Sequence, residues 1–135
     1  MEINKDLIIE GTATSLEDVA NLRRKILWTN SSPEASFSSQ TITFSNSDYD
    51  YYMIIFATST SLAVLDNTGL IPKGKRTELS TTYAEGGGWY IRYRGIDTAT
   101  SNTLHFQDSV TREVSSQQTT NNYFCIPLYV IGYKA

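Results

Sequence analysis

The sequence has one cysteine, three prolines, one histidine and no long apolar run, and each scarcity removes a class of protein. Cys125 has no second cysteine in the chain with which to form a disulfide, and one thiol does not make a zinc site. A hydrolase of the Ser–His–acid kind would have to run through His105, around which no nucleophile elbow stands. No stretch approaches the roughly 20 apolar residues that a helix needs to cross a bilayer. Residues 1–6 carry no run of signal-peptide type, so the expectation is a soluble chain made in the cytoplasm. Charge is sparse at 19%, with a formal net of -3, and the longest basic cluster is Arg23, Arg24 and Lys25. The basic footprint of a nucleic-acid binder is missing.

What is present points to strands. A chain of 135 residues is the size of one domain, and its 40% hydrophobic content against low charge suits a globular core. Residues 3–13 read as a small extended element reaching a turn at Gly11. Ser15 stands where a helix cap would, with Asp18 three positions on, and Leu16, Val19, Ala20 and Arg23 recur at helical spacing. The spacing predicts a short helix over 16–25, too short to hold in water unless it packs on its own domain or on sister chains.

From Ile26 the pattern is period two, broken by turn residues. Strands are predicted over 36–44, 49–58, 61–65, 89–96, 103–107, 110–114 and 123–133, with a proline-containing edge strand over 71–79 and polar loops at 66–69 and 115–122. In 49–58 both faces are apolar, Tyr51, Met53 and Ile55 on one and Tyr52, Ile54 and Phe56 on the other. Both must be covered, by a second sheet or by another subunit. Pro127 is expected at an edge or a bulge. The organisation read from this is a stalk or short helix over 1–25 and an antiparallel, jelly-roll-like β-sandwich over 26–135, a closed β-barrel being the alternative.

Chemistry is sought next. Asp48, Asp50, Asp66, Glu78, Glu85, Asp97, Asp108 and Glu113 fall on turns or strand ends, where acids ordinarily bond the backbone, and nothing in their spacing pairs two of them for glycoside hydrolysis. Gly86, Gly87 and Gly88 lack the Lys and Ser or Thr of a phosphate loop, and Asp66 to Thr68 lacks the spacing of a calcium loop. The expectation is a protein that is not an enzyme and takes no cofactor or metal. The strand over 89–96 is more suggestive. Trp89, Ile91 and Tyr93 share one face, and Tyr90, Arg92 and Arg94 share the other. Flat aromatics and guanidinium groups serve sugar, carboxylate and protein recognition, so Trp89, Tyr90, Arg92 and Arg94 are candidate ligand residues. His105 joins them, since it lies opposite Leu104 and Phe106 and should face solvent or a partner.

The segment LWTN at 27–30, with Pro33, Phe37 and Gln40 to Phe44 after it, the strand YDYYMIIF at 49–56 and the ending IPLYVIGYK at 126–134 stand in a recognisable order. They resemble the C-terminal domains of minor structural and tail-fibre proteins from phages and prophages of Gram-positive bacteria. The resemblance spans about 27 to the end, leaves 59–122 unmatched, and rests on framework strands that carry over no binding residue. It implies that LIIEGTATSLEDVANL at 7–22 is the end of a fibre shaft and that the chain is a homotrimer with its β domains as a head. It further implies residence in the virion among other virion proteins, and attachment to a host surface saccharide or protein without membrane insertion.

Overall fold

The computed structural model describes residues 8–9, 12–13, 24–100, 102–113 and 118–134. Among these, thirteen strands follow one another: β1 (Ile8–Ile9), β2 (Thr12–Ala13), β3 (Arg24–Thr29), β4 (Gln40–Thr43), β5 (Tyr51–Ser59), β6 (Leu65–Asn67), β7 (Ile71–Pro72), β8 (Thr77–Glu85), β9 (Gly88–Thr100), β10 (Thr103–Phe106), β11 (Val110–Glu113), β12 (Gln118–Thr120) and β13 (Phe124–Tyr133). β1 and β2 pair antiparallel, Ile8 opposite Ala13 and Ile9 opposite Thr12. The helix read over 16–25 lies outside the described residues except for its last two positions. These are corrected: Arg24 and Lys25 open β3, opposite Tyr133 and Gly132 of β13. Other boundaries move as well, among them that of the strand read at 36–44, which is β4, and that of the strand read at 89–96, which extends to Thr100 as β9. The strand read at 61–65 is β6 two to four residues later, the edge strand read at 71–79 divides at Lys73 and Gly74 into β7 and β8, and β12 lies within the loop read at 115–122.

The other eleven strands form two open antiparallel sheets facing each other, a β-sandwich and not a closed barrel. In the first, β9 is the spine. β8 lies along one side of it, joined by a tight turn at Gly86 and Gly87, both in the left-handed region that glycine enters freely. Along the other side run β10 and then β11, with β4 and β12 outside them. Between the pairs Phe106↔Ile96 and Val110↔Tyr93, residues 107, 108 and 109 oppose only Gly95 and Arg94. One residue is extra, and the row bulges there. The second sheet runs β3, β13, β5, with β6 and β7 sharing the far side of β5. Pro127 sits beside a register break in β13, the bulge position that a residue without an N–H tolerates.

The inner faces supply one core. Tyr52, Ile54 and Phe56 of β5, with Ile126, Leu128 and Val130 of β13, meet Leu79 of β8, Ile96 of β9, and Leu104 and Phe106 of β10. The Tyr52 hydroxyl is satisfied by donating to the Lys75 carbonyl at 2.6 Å. On the outer face of the second sheet lie Tyr51, Met53 and Ile55, beside Tyr133, Ile131 and Tyr129, with Ile26 completing the row Ile26–Ile131–Met53 across three strands. Ile26 is 58% exposed and Tyr51 40%. Within this domain, the second apolar face of the strand at 49–58 has no layer over it in the described residues.

Candidate binding surfaces

The β8–β9 hairpin fixes the faces of the suspected ligand strand. Leu79 opposes Arg94, Thr81 opposes Arg92 and Tyr83 opposes Tyr90, so all six share the inner face with buried Ile96. Trp89 and Ile91 face outward, Trp89 being 64% exposed. Arg94 is therefore corrected from ligand residue to structural pin. It is 0% exposed. Its Nε donates to the Cys125 carbonyl at 2.9 Å, one terminal nitrogen to Gln107 at 2.6 Å and the other to Phe124 at 3.1 Å. The Phe37 ring lies 5.2 Å from the guanidinium. Burial draws the guanidinium down to about 10, so it stays charged at neutral pH. Three carbonyls and an aromatic face take the place of the water it gave up.

One position down the strand's inner face, Arg92 is held differently. Its guanidinium carbon lies 4.0 Å from the Tyr83 ring centre and 3.5 Å from that of Phe124, so it is stacked between two rings from opposite sheets. Tyr83 in turn stacks on Tyr90 at 4.9 Å with 15° between the planes. Tyr90 and Arg92 thus join with Tyr83 and Phe124, two residues the sequence did not single out, at the open end of the sandwich.

His105 stands apart on the outer face of β10. Thr41 Oγ1 lies 2.9 Å from its Nδ1 and Ser39 Oγ 3.3 Å from its Nε2. In a neutral ring one nitrogen donates and the other accepts, so the two hydroxyls fix opposite roles whichever tautomer is present. Asp97, its cross-strand neighbour, pairs with Arg76 at 2.6 Å and accepts from Gln107 at 3.0 Å. No described carboxylate holds Nδ1 as a catalytic triad requires.

A concavity that the sequence reading missed lies between β3 and β4. It holds about 300 Å³ and is walled by Trp28 and Phe37, with Asn30, Ser31, Ser36 and Gln40 on its rim. Trp28 is braced by Phe37 at 6.1 Å and Phe106 at 6.0 Å, and Phe37 by Phe106 at 5.4 Å. The loop is tied down at its ends. The Asn30 amide donates to the Pro127 carbonyl at 2.9 Å, and the Phe37 N–H to the Asn122 carbonyl at 2.9 Å. The Ser39 N–H donates to the Asp108 carboxylate at 2.9 Å. The signal in the sequence is a tryptophan followed at once by a run of hydroxyl and amide residues.

No family model matches the chain, and neither does any curated protein or solved structure.

Proposed function

We propose that this chain is the head domain of a phage or prophage tail fibre, and that it attaches to a host cell surface by holding a saccharide in the Trp28 cleft. The cleft carries the reading. An aromatic wall with hydroxyl and amide groups around it is the chemistry that a sugar ring needs, an apolar face to lie on and neutral hydrogen-bonding groups for its hydroxyls. The order of LWTN, YDYYMIIF and IPLYVIGYK supports placement in the virion. The uncovered outer face of the second sheet supports several copies side by side. Weak sites displayed together raise avidity without any one of them being tight.

The test is retention of the chain on Gram-positive cell walls and on a glycan array, for the native protein and for Trp28→Ala. Retention that falls about tenfold or more in the variant, with its circular dichroism unchanged, is the expected result. Equal retention of both proteins moves the site elsewhere, and no retention of either removes the attachment function. That second outcome favours a purely structural virion subunit, a reading the broad apolar face also suits.

A further inference from the structure

We propose that the open end of the sandwich is a binding site for a carboxylate or phosphate group, centred on Arg92. The proposal does not rest on the Trp28 cleft. It starts from polar atoms that are buried and have nothing to bond. Among the described residues these include Arg92 Nε and Thr111 Oγ1. They are neighbours, since Thr111 is the cross-strand partner of Arg92. Native interiors leave few such atoms, and a facing pair on adjacent strands marks the place of a missing partner.

The chemistry of that partner follows from how Arg92 is held. The Tyr83 and Phe124 rings both lie against the guanidinium, which leaves its edge for hydrogen bonding. An edge of parallel N–H donors matches the two oxygens of a carboxylate or phosphate. The hydroxyl of Thr111, opposite Arg92, adds a donor to the same acceptor. No ion pair to Arg92 occurs among the described residues. Asp97 is committed to Arg76 and Gln107, Asp108 to Ser39 and Asn122, and Glu113, opposite Tyr90, has a partner of its own. A charged, stacked and partly buried cation without a counter-charge attracts an anion more strongly than a neutral water. Arg94 beneath it shows the contrast, since each of its nitrogens reaches a carbonyl.

The experiment is an NMR titration of the native chain at constant ionic strength, following the Arg92 Nε–Hε signal assigned by its loss in Arg92→Lys. The probes are inorganic phosphate, methyl glucuronide and methyl glucoside, with chloride as the balancing ion. A saturable shift with phosphate and glucuronide is the expected result, with affinity about tenfold weaker in Arg92→Lys when both proteins are followed through the Thr111 backbone amide. Saturation by the glucuronide alone assigns the site to acidic sugars, and saturation by phosphate as well assigns it to the anion itself. Thr111→Val, which keeps the shape of the side chain, should weaken binding several-fold with the fold retained. Linear shifts like those of chloride, or equal shifts with the neutral glucoside, overturn the proposal. So does a Thr111→Val protein that is more stable and titrates as before, because the orphan atoms then serve no ligand. Trp28→Ala should leave the phosphate titration unchanged, which separates this site from the cleft.

Discussion

Arg94 and Cys125 are joined across the sandwich by a hydrogen bond of 2.9 Å from the guanidinium Nε to the backbone carbonyl. Among the described residues, Cys125 is one of two non-glycine residues in the left-handed region, with φ at 50°. In a regular strand successive carbonyls point to opposite sides, but the turned backbone at Cys125 lets the carbonyls of Phe124 and Cys125 both reach Arg94. A left-handed residue with a side chain costs about 1–2 kcal/mol. Charge-assisted bonds of about 1.5–3 kcal/mol offset that cost and join β13 to the bulge beside β9. Arg94→Met leaves one buried and two partly buried carbonyls without their donor, and should lower stability by about 3 kcal/mol or more. Urea unfolding checks this through a lower midpoint at unchanged slope. Arg94→Lys, with a point charge in place of a fork, should fall between the two; a Lys variant as stable as the native chain would refute the role.

Two glycines in strands should respond unequally to alanine. A Cβ on Gly132 would lie 2.8 Å from Leu27 Cδ1 and within 3.1 Å of two further atoms of that side chain, which is held in the core. Gly132→Ala should cost about 1–3 kcal/mol by overpacking. A Cβ on Gly95 would lie 2.7 Å from Gln107 Oε1, the far end of an exposed and flexible chain. Gly95→Ala should change stability by about 0.5 kcal/mol or less. Paired urea curves decide, and equal losses would show that Leu27 yields as easily as Gln107.

Asp108 should set part of the acid limit. The Ser39 N–H, then the Asn122 amide, hold its carboxyl below the ordinary carboxylate value. A depressed folded value means stability that is full above the unfolded value of about 3.9 and is lost as pH falls through the folded one. Asp48 behaves alike through its hydrogen bond from Lys134. Stability measured from pH 7 down to 2 should therefore decline below about pH 4. The decline should be shallower in Asp108→Asn, which keeps an acceptor for Ser39, and shallower still with Asp48→Asn added. Since Ser39 closes the loop that carries Phe37, the Trp28 cleft should loosen over the same pH range. An unchanged acid limb in the double variant would assign the loss to other groups.

The sandwich was legible because apolar residues alternate with polar ones in the stretches that became β4, β10 and much of β9, and because β5 is apolar on both faces. Alternation states which residues share a face but not which face turns inward. Trp89, Ile91 and Tyr93 look like the buried set, whereas Arg94 shares its face with buried Ile96, and that continuation was the available clue. The acceptors that make a buried arginine tolerable come from the bulge at 107–109 and from left-handed Cys125, features of tertiary structure with no local signature. Tyr83 and Phe124 were hidden for the same reason, since they meet Arg92 only once β8 and β13 are in place. The Trp28 cleft depends likewise on Phe106 reaching Trp28 from the other sheet.

The outer face of the second sheet should bind further copies of the chain. Four strand positions about 4.8 Å apart and up to ten residues of about 3.3 Å give a face of roughly 20 by 30 Å. That is the scale of the roughly 800 Å² that each partner buries in a standard interface. The middle of the face is the row Ile26–Ile131–Met53, flanked by the pairs Tyr133–Tyr51 and Tyr129–Ile55, and Arg24 stands only at the edge. Apolar patches of this extent on monomers are rare, and a sister chain presenting the same residues would cover one without stranding a charge. Light scattering should then give a multiple of 15.1 kDa for the native chain, three being the number implied by a fibre head. Ile26→Lys places a cation in the centre of the contact, yet on a lone chain it sits in solvent and should change stability by about 0.5 kcal/mol or less. The variant should therefore be a folded monomer. A native chain that is already monomeric at high concentration would leave the face uncovered and turn the reading towards a single-copy saccharide-binding module.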